Sequence, residues 1–174
     1  EEGEGGALAL QGLQQLLTVR GKIVLPFLVP QLATPPMTAR NARALAALSA
    51  VAGDALSSKI PTILGALSDG MSEGDDPEVI ALAAEKVILA EGVRMMLLEL
   101  LRRLEDVTTP QTRAAAARLL TAFCGGTTHD YEDYKAEMIK MLVHLFGDPT
   151  PAVTTAANGA LAAIVKHLEG EDKK

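Results

Sequence analysis

Apolar residues recur along this chain at helical spacing, with none of the two-residue alternation that marks a half-buried strand. Ile60, Ile63, Leu64, Leu67 and Met71 share one helical face, and so do Ile139, Leu142, Val143 and Phe146. Val93, Met96, Leu97, Leu100, Leu101 and Leu104 form a broader one. Ala116, Leu119, Leu120 and Phe123 continue the pattern, as do Val153, Ala157, Ala160, Ile164 and Leu168. Between these stretches stand Thr34-Pro35, Asp76-Pro77, Thr109-Pro110 and Asp148-Pro149. A Thr or Asp oxygen accepts orphan amides of a helix's first turn, and Pro needs no donor at the first helical position. Each of the four pairs therefore predicts a helix start.

Pro35, Pro77, Pro110 and Pro149 lie 42, 33 and 39 residues apart, the length of two helices and two turns. Repeats of the HEAT and armadillo type run to about 40–47 residues, so these spacings sit at or just below that range. The fold class expected is all-α, an α-solenoid of HEAT-type helical repeats with an armadillo-like superhelix. Residues 1–20 are expected to hold the leading helix of a truncated repeat, about Ala7 to Val19. Residues 21–174 are expected to hold four HEAT-type helix pairs, about 22–56, 57–91, 92–126 and 131–168. Pro26 and Pro30 make the first of these helices the least regular, with a start as late as Pro26, because an interior Pro deletes a backbone hydrogen bond. A single pair cannot bury its apolar face, whereas stacked pairs share one core.

Composition supports close-packed helices. Hydrophobic residues make up 48% of the chain but aromatics only 3%, so Ala, Leu, Val, Ile and Met must fill the core. The net charge of −6 gives no bulk attraction for phosphate backbones or anionic membranes. The longest apolar run, Ile23 to Val29, contains Pro26 and falls far short of the roughly 20 residues needed to span a bilayer. One cysteine, Cys124, excludes an internal disulfide and fits a reducing, cytoplasmic setting. With no secretory signal and no initiator Met, the chain reads as a piece of a longer polypeptide.

Candidate chemistry is sparse. Cys124, His129 and Asp130 are near in sequence, but Cys124 ends an apolar helical face and His129 follows a Gly-rich turn, so Cys124 reads as a structural thiol. His129, His144 and His167 lack metal-ligand spacing, and no HExxH or CxxC occurs. Glu73, Asp75, Asp76 and Glu78 lack the alternating ligands of a calcium loop and suit the positive end of a helix, as do Asp130, Glu132 and Asp133. Gly125-Gly126-Thr127-Thr128 lacks the Lys of a phosphate loop and reads as a connector. No catalytic residue, metal ligand, cofactor or small-molecule substrate is expected. Arg94, Arg102 and Arg103 share one helix and are the candidate partner-binding residues, for ribosomal RNA or an acidic protein. Arg102 and Arg103 also suit the carbonyl end of that helix without any partner.

Pro110-Gln-Thr-Arg-Ala-Ala-Ala-Ala resembles the signature of a HEAT unit's second helix, and Asn41-Ala-Arg-Ala-Leu-Ala looks like a variant, while Ile80 and Thr154 stand where the Arg would be in the other two pairs. The run Leu25-Pro-Phe-Leu-Val-Pro-Gln-Leu, then Thr34-Pro-Pro and Leu45-Ala-Ala-Leu-Ser-Ala-Val-Ala-Gly-Asp-Ala-Leu, is more specific. Together with Arg113-Ala-Ala-Ala-Ala-Arg-Leu-Leu, Asp130-Tyr-Glu-Asp-Tyr and Leu145-Phe-Gly-Asp-Pro-Thr-Pro-Ala-Val, it resembles the general control nonderepressible family over about Val24 to Leu168, with Met37 to Arg40 as a short insertion. These are giant ribosome-associated activators of the amino-acid-starvation kinase. The resemblance implies a non-enzymatic cytoplasmic scaffold fragment that links ribosomes to the kinase phosphorylating initiation factor 2 alpha. It implies as partners the ribosome and the kinase's N-terminal domain. The family's kinase-binding arginine falls on no identifiable position here. Repeat physics alone would fit a generic HEAT adaptor equally, of the transport-receptor or phosphatase-scaffold type.

Overall fold

Three of the helices open on the same local device. In the computed structural model, which describes residues 2–90, 93–105 and 108–171, the side-chain oxygens of Thr38, Asp76 and Thr109 each accept the amide three residues on. Those amides belong to Asn41, Val79 and Thr112, and all three bonds measure 3.2 Å. Such caps stabilise a helix by about 1 kcal/mol each. The side chains of residues 2–10, 13, 14, 18, 53, 54, 93–95 and 168–171 lie outside the description.

Among the described residues the chain forms α1 (Glu2–Leu32), α2 (Ala39–Ala52), a 3-10 helix (Gly53–Lys59), α3 (Ile60–Glu73) and α4 (Pro77–Ala90). These are followed by α5 (Val93–Arg103), α6 (Pro110–Gly126), α7 (Glu132–Leu145) and α8 (Pro151–Glu171), and the described residues contain no strand. Two expected helix starts move. Thr34-Pro35 does not open α2, and Asp148-Pro149 does not open α8. In both cases a second proline follows, Pro36 and Pro151, and the residue before a proline is driven out of the helical region. The helix therefore begins no earlier than the last proline, behind Thr38 in one case and at Pro151, behind Thr150, in the other. The backbone oxygen of Thr150 accepts from Val153 at 3.0 Å and Thr154 at 3.3 Å.

Across the span of the expected leading helix and the start of the first pair, α1 is two helical segments that meet at a kink. It breaks only at Arg20, whose φ of −132° and ψ of 16° are not helical. Pro26 and Pro30 lie inside it, both exposed, and each leaves one carbonyl of the preceding turn without a helical donor. On the opposite face Leu17, Leu25 and Val29 are buried.

The chain divides into two compact units, Glu1–Glu91 and Gly92–Lys174. In the first, α1 packs on α2, α2 on α4 and α3 on α4. In the second, α6 packs chiefly on α8, with α5 against α6 and α7 against α8. Within each unit the even-numbered helices thus form one layer. Their interface is built from small residues, Ala116, Ala117, Ala157 and Ala160 being fully buried in the second unit. The odd-numbered helices supply larger side chains, Ile60, Ile63, Leu64 and Leu67 from α3 and Met96, Leu97 and Leu100 from α5, all without exposure, as is Leu104 just after α5. Each such side chain contributes about 1.5–3 kcal/mol by leaving water.

The expected face of α7 is rotated. Leu142 is buried, but Val143 is 52% and Phe146 38% exposed. The inward face carries Tyr131, Lys135, Met138, Leu142 and Leu145. Tyr131 stacks obliquely with Phe123 at 5.8 Å and with His167 at 4.8 Å, and the Lys135 ammonium lies 5.6 Å from its ring centre while pairing with Glu132.

Candidate protein-docking surfaces

Two charged side chains, Asp75 and Arg113, join one helix to the next. The Asp75 carboxylate accepts the Ala39 amide at 2.7 Å, tying the turn before α4 to the first residue of α2. The start of α2 is therefore held beside the start of α4, and the two helices run in the same direction. In the second unit, Arg113 of α6 donates to Asp148, which precedes α8, through Nε at 2.8 Å and Nη2 at 2.7 Å. Arg113 also donates to the Thr108 carbonyl. The Thr150 amide, 2.8 Å away, and the Arg113 guanidinium hold the Asp148 carboxyl below its ordinary value. Asp76 caps α4 and Asp130 accepts the Glu132 amide at 2.8 Å, so the carboxylates singled out at the helix starts serve as caps and ties.

The three arginines proposed for partner binding do not act alike. Arg102 and Arg103 converge on Glu99, one and the same α5 carboxylate. Arg103 Nε donates to Glu99 Oε1 at 2.8 Å, and Arg102 donates through Nη2 at 2.8 Å and Nε at 3.2 Å. Glu99 and Arg103 are buried, whereas the Arg102 side chain is 61% exposed. Burial pushes the Glu99 carboxyl up, but its hydrogen bond with Arg102 and the charges of both arginines outweigh that and hold it below the usual range. Arg103 therefore belongs to the interior. Arg102 presents a charge to solvent, already half-neutralised by Glu99, and the Arg94 side chain lies outside the described residues.

Cys124, His129 and Asp130 are not assembled into a catalytic group. Cys124 is buried, His129 and Asp130 are exposed, and burial pushes the Cys124 thiol up to about 11, opposed by the Tyr131 hydroxyl. Among the described residues no three His, Cys, Asp or Glu side chains are grouped to hold a metal ion. No described helix is long and apolar enough to cross a membrane.

Two surface features escaped the reading of the sequence. Leu16, Val19, Ile23 and Phe27 form an apolar stripe on the outer face of α1, exposed by 47, 75, 56 and 72%. A helix that is apolar on both sides ordinarily has a neighbour on each. The other feature is a groove between α2 and α4, bounded by Arg43 and Lys86. The 3.6-residue period contained the first signal, for Leu16, Val19, Ile23 and Phe27 are spaced as one face.

The model of the family described as stalled ribosome sensor GCN1-like, HEAT repeats, matches residues 24–174. The chain belongs to this family. The match opens four residues after the break at Arg20 and takes in every helix from the second segment of α1 onward. Among curated relatives, the stalled ribosome sensor GCN1 of Mus musculus is 36% identical over 97% of this chain, and that of Homo sapiens is equally similar. The eIF-2-alpha kinase activator GCN1 of Dictyostelium discoideum is 34% identical over 94% of it. In each case the chain spans only 6% of the length of the relative. No solved structure matches it. As a member of the GCN1-like HEAT family the chain is an all-α helical-repeat protein, in which the Ala39–Asp75 contact joins α2 to the turn before α4 and the Arg113–Asp148 contact joins α6 to the turn before α8.

Proposed function

We propose that this segment is a non-enzymatic scaffold element of a cytoplasmic translational activator, acting by binding alone to link ribosomes with the kinase that phosphorylates initiation factor 2 alpha. The observation that carries the reading is similarity over nearly the whole chain to proteins named as stalled ribosome sensors and as eIF-2-alpha kinase activators. The interior fits this reading, because the buried thiol and the buried carboxylate and guanidinium groups are engaged in structural contacts. Residues 21–174 are read as four stacked pairs, and exposed Arg102, rather than buried Arg103, as an arginine placed to reach ribosomal RNA or an acidic protein.

The test uses the full-length parent protein with and without this segment. Ribosome co-sedimentation, capture by the kinase's N-terminal domain and phosphorylation of initiation factor 2 alpha on starvation are measured together. Loss of either binding activity on removal of the segment, restored by supplying it, supports the scaffold role. Unchanged binding and unchanged phosphorylation refute it. Arg102→Glu is expected to weaken ribosome co-sedimentation most at low salt, since a phosphate contact is lost with its counterion effect.

A further inference from the structure

The groove between α2 and α4, about 440 Å³, has a floor and two charged ends. Ala46 and Ala83 are buried at its base, Ala47 and Ala50 form the α2 wall, and Leu82 faces them from α4 with 51% of its surface exposed. Arg43 bounds it at one end and Lys86 at the other, both exposed, and neither forms an ion pair among the described residues. In a chain with net charge −6, this is a place where positive charge is left without a carboxylate.

The floor says what kind of molecule fits. Its walls are two helices whose backbone groups are bonded internally, and its side chains between the charged ends are apolar, so it offers no hydrogen bond to a nucleotide base, a sugar or an extended peptide. A helix brings its own backbone groups already satisfied, and alanine walls let its axis come close. The charged ends set the spacing. Ala39 is held beside Asp75, so Arg43 stands four residues and Lys86 eleven residues past that tie, a difference of about 10 Å at the rise of an α-helix, or about two turns. A phosphate backbone would meet the two cations but leave Leu82 and the alanines against charge. We propose that the groove between α2 and α4 docks an acidic amphipathic helix of a partner protein, its apolar side on the alanine floor and two carboxylates about two turns apart against Arg43 and Lys86.

The inference rests on reading the segment as a binding scaffold, so its test is run on the purified chain without ribosomes. The probe is a fluorescent, alanine-based synthetic helix with Leu on one face and Glu at positions i and i+7; a second probe carries Lys at both. Anisotropy is expected to show salt-sensitive binding of the acidic probe and none of the basic one. R43E with K86E should weaken it at least about tenfold. Ala50→Trp, which fills the groove without altering charge, should abolish it. All three side chains are exposed, and unchanged circular dichroism confirms that each variant folds. Absence of binding by the acidic probe, or equal binding to all variants, overturns the proposal. A single-stranded RNA that binds better than the probe, needs Arg43 and Lys86 and ignores Ala50→Trp also overturns it. Binding of the acidic helix by a segment that engages neither ribosome nor kinase would sink the scaffold role and leave the groove standing, and the reverse result would sink the groove alone.

Discussion

Replacing Gly70 with Ala sets two opposed effects against each other at one residue. Gly70 lies in α3, where Ala is ordinarily favoured over Gly by about 1 kcal/mol. An added Cβ would stand 2.6 Å from Met37 Cβ, 2.8 Å from Met37 Cγ and 3.2 Å from Ile80 Cγ2. The Cγ can swing aside, but Met37 Cβ moves only with its backbone. That backbone is held: the Met37 carbonyl faces the Asp75 amide at 3.4 Å, and Asp75 in turn accepts the Ala39 amide. Overpacking against a fixed neighbour costs about 1–3 kcal/mol, so the two effects leave Gly70→Ala destabilised by about 1 kcal/mol. Gly159 in α8 is the control, with only Thr121 Oγ1 within reach at 3.5 Å, and its replacement by Ala should stabilise by several tenths of a kcal/mol up to about 1. Urea unfolding followed by circular dichroism measures both, and hydrogen exchange assigns each change to its own compact unit. Gly70→Ala as stable as the parent chain, with Gly159→Ala stabilised as expected, would refute the argument that the segment before α2 is pinned against the end of α3.

Cys124 should resist modification while the chain is folded. With its thiol at about 11, only about a thousandth is thiolate at pH 8, so a disulfide reagent is expected to label it at least about a hundredfold more slowly than in urea. Equal rates would refute its burial. Because the unfolded thiol ionises near 9, the unfolded chain holds fewer protons between pH 9 and 11, and stability falls there by on the order of 1 kcal/mol per pH unit; Cys124→Ala removes that dependence. Glu99 behaves in the opposite sense. Its folded carboxyl lies below the unfolded 4.5, so the unfolded chain binds the proton first as pH falls, and the stability Glu99 provides is present above pH 4.5 and lost below it. Glu99→Gln should cost about 2 kcal/mol at neutral pH and flatten the acid limb of a pH–stability curve, and an unchanged acid limb would show that the two arginines do not hold this carboxylate.

How far the sequence announced this fold depends on how isolated each signal stands. Asp76-Pro77 and Thr109-Pro110 have no second proline nearby, and α4 and α6 begin where those pairs say. Thr34-Pro35-Pro36 and Asp148-Pro149-Thr150-Pro151 carry two, and the later proline decides, an effect readable from the restriction on the preceding residue. The face of α7 was less determinate. Apolar residues at 138, 139, 141, 142, 143, 145 and 146 cover so wide an arc that a 3.6-residue period fits more than one buried stripe. Only the neighbours select among them: Tyr131 meets Phe123 of α6 and His167 of α8, and Met138 is buried where Val143 is not.

The same distinction governs the surface. The spacing of Glu99, Arg102 and Arg103 already permits the ion pairs that form, since residues three and four apart on a helix are neighbours. What the spacing cannot say is which of two adjacent arginines turns inward, and that choice removes Arg103 from any docking face while leaving Arg102 on one. The Arg43–Lys86 groove lies further from reach because it has no local signature. Its two cations sit on different helices, and they come to bound one space because α2 packs on α4, with Asp75 holding the start of α2 beside the start of α4. The carboxylate that looked in the sequence like part of an acidic helix start thus brings together the walls of a basic-ended groove. Weakening that tie by Asp75→Ala would therefore loosen the groove without touching any residue that lines it.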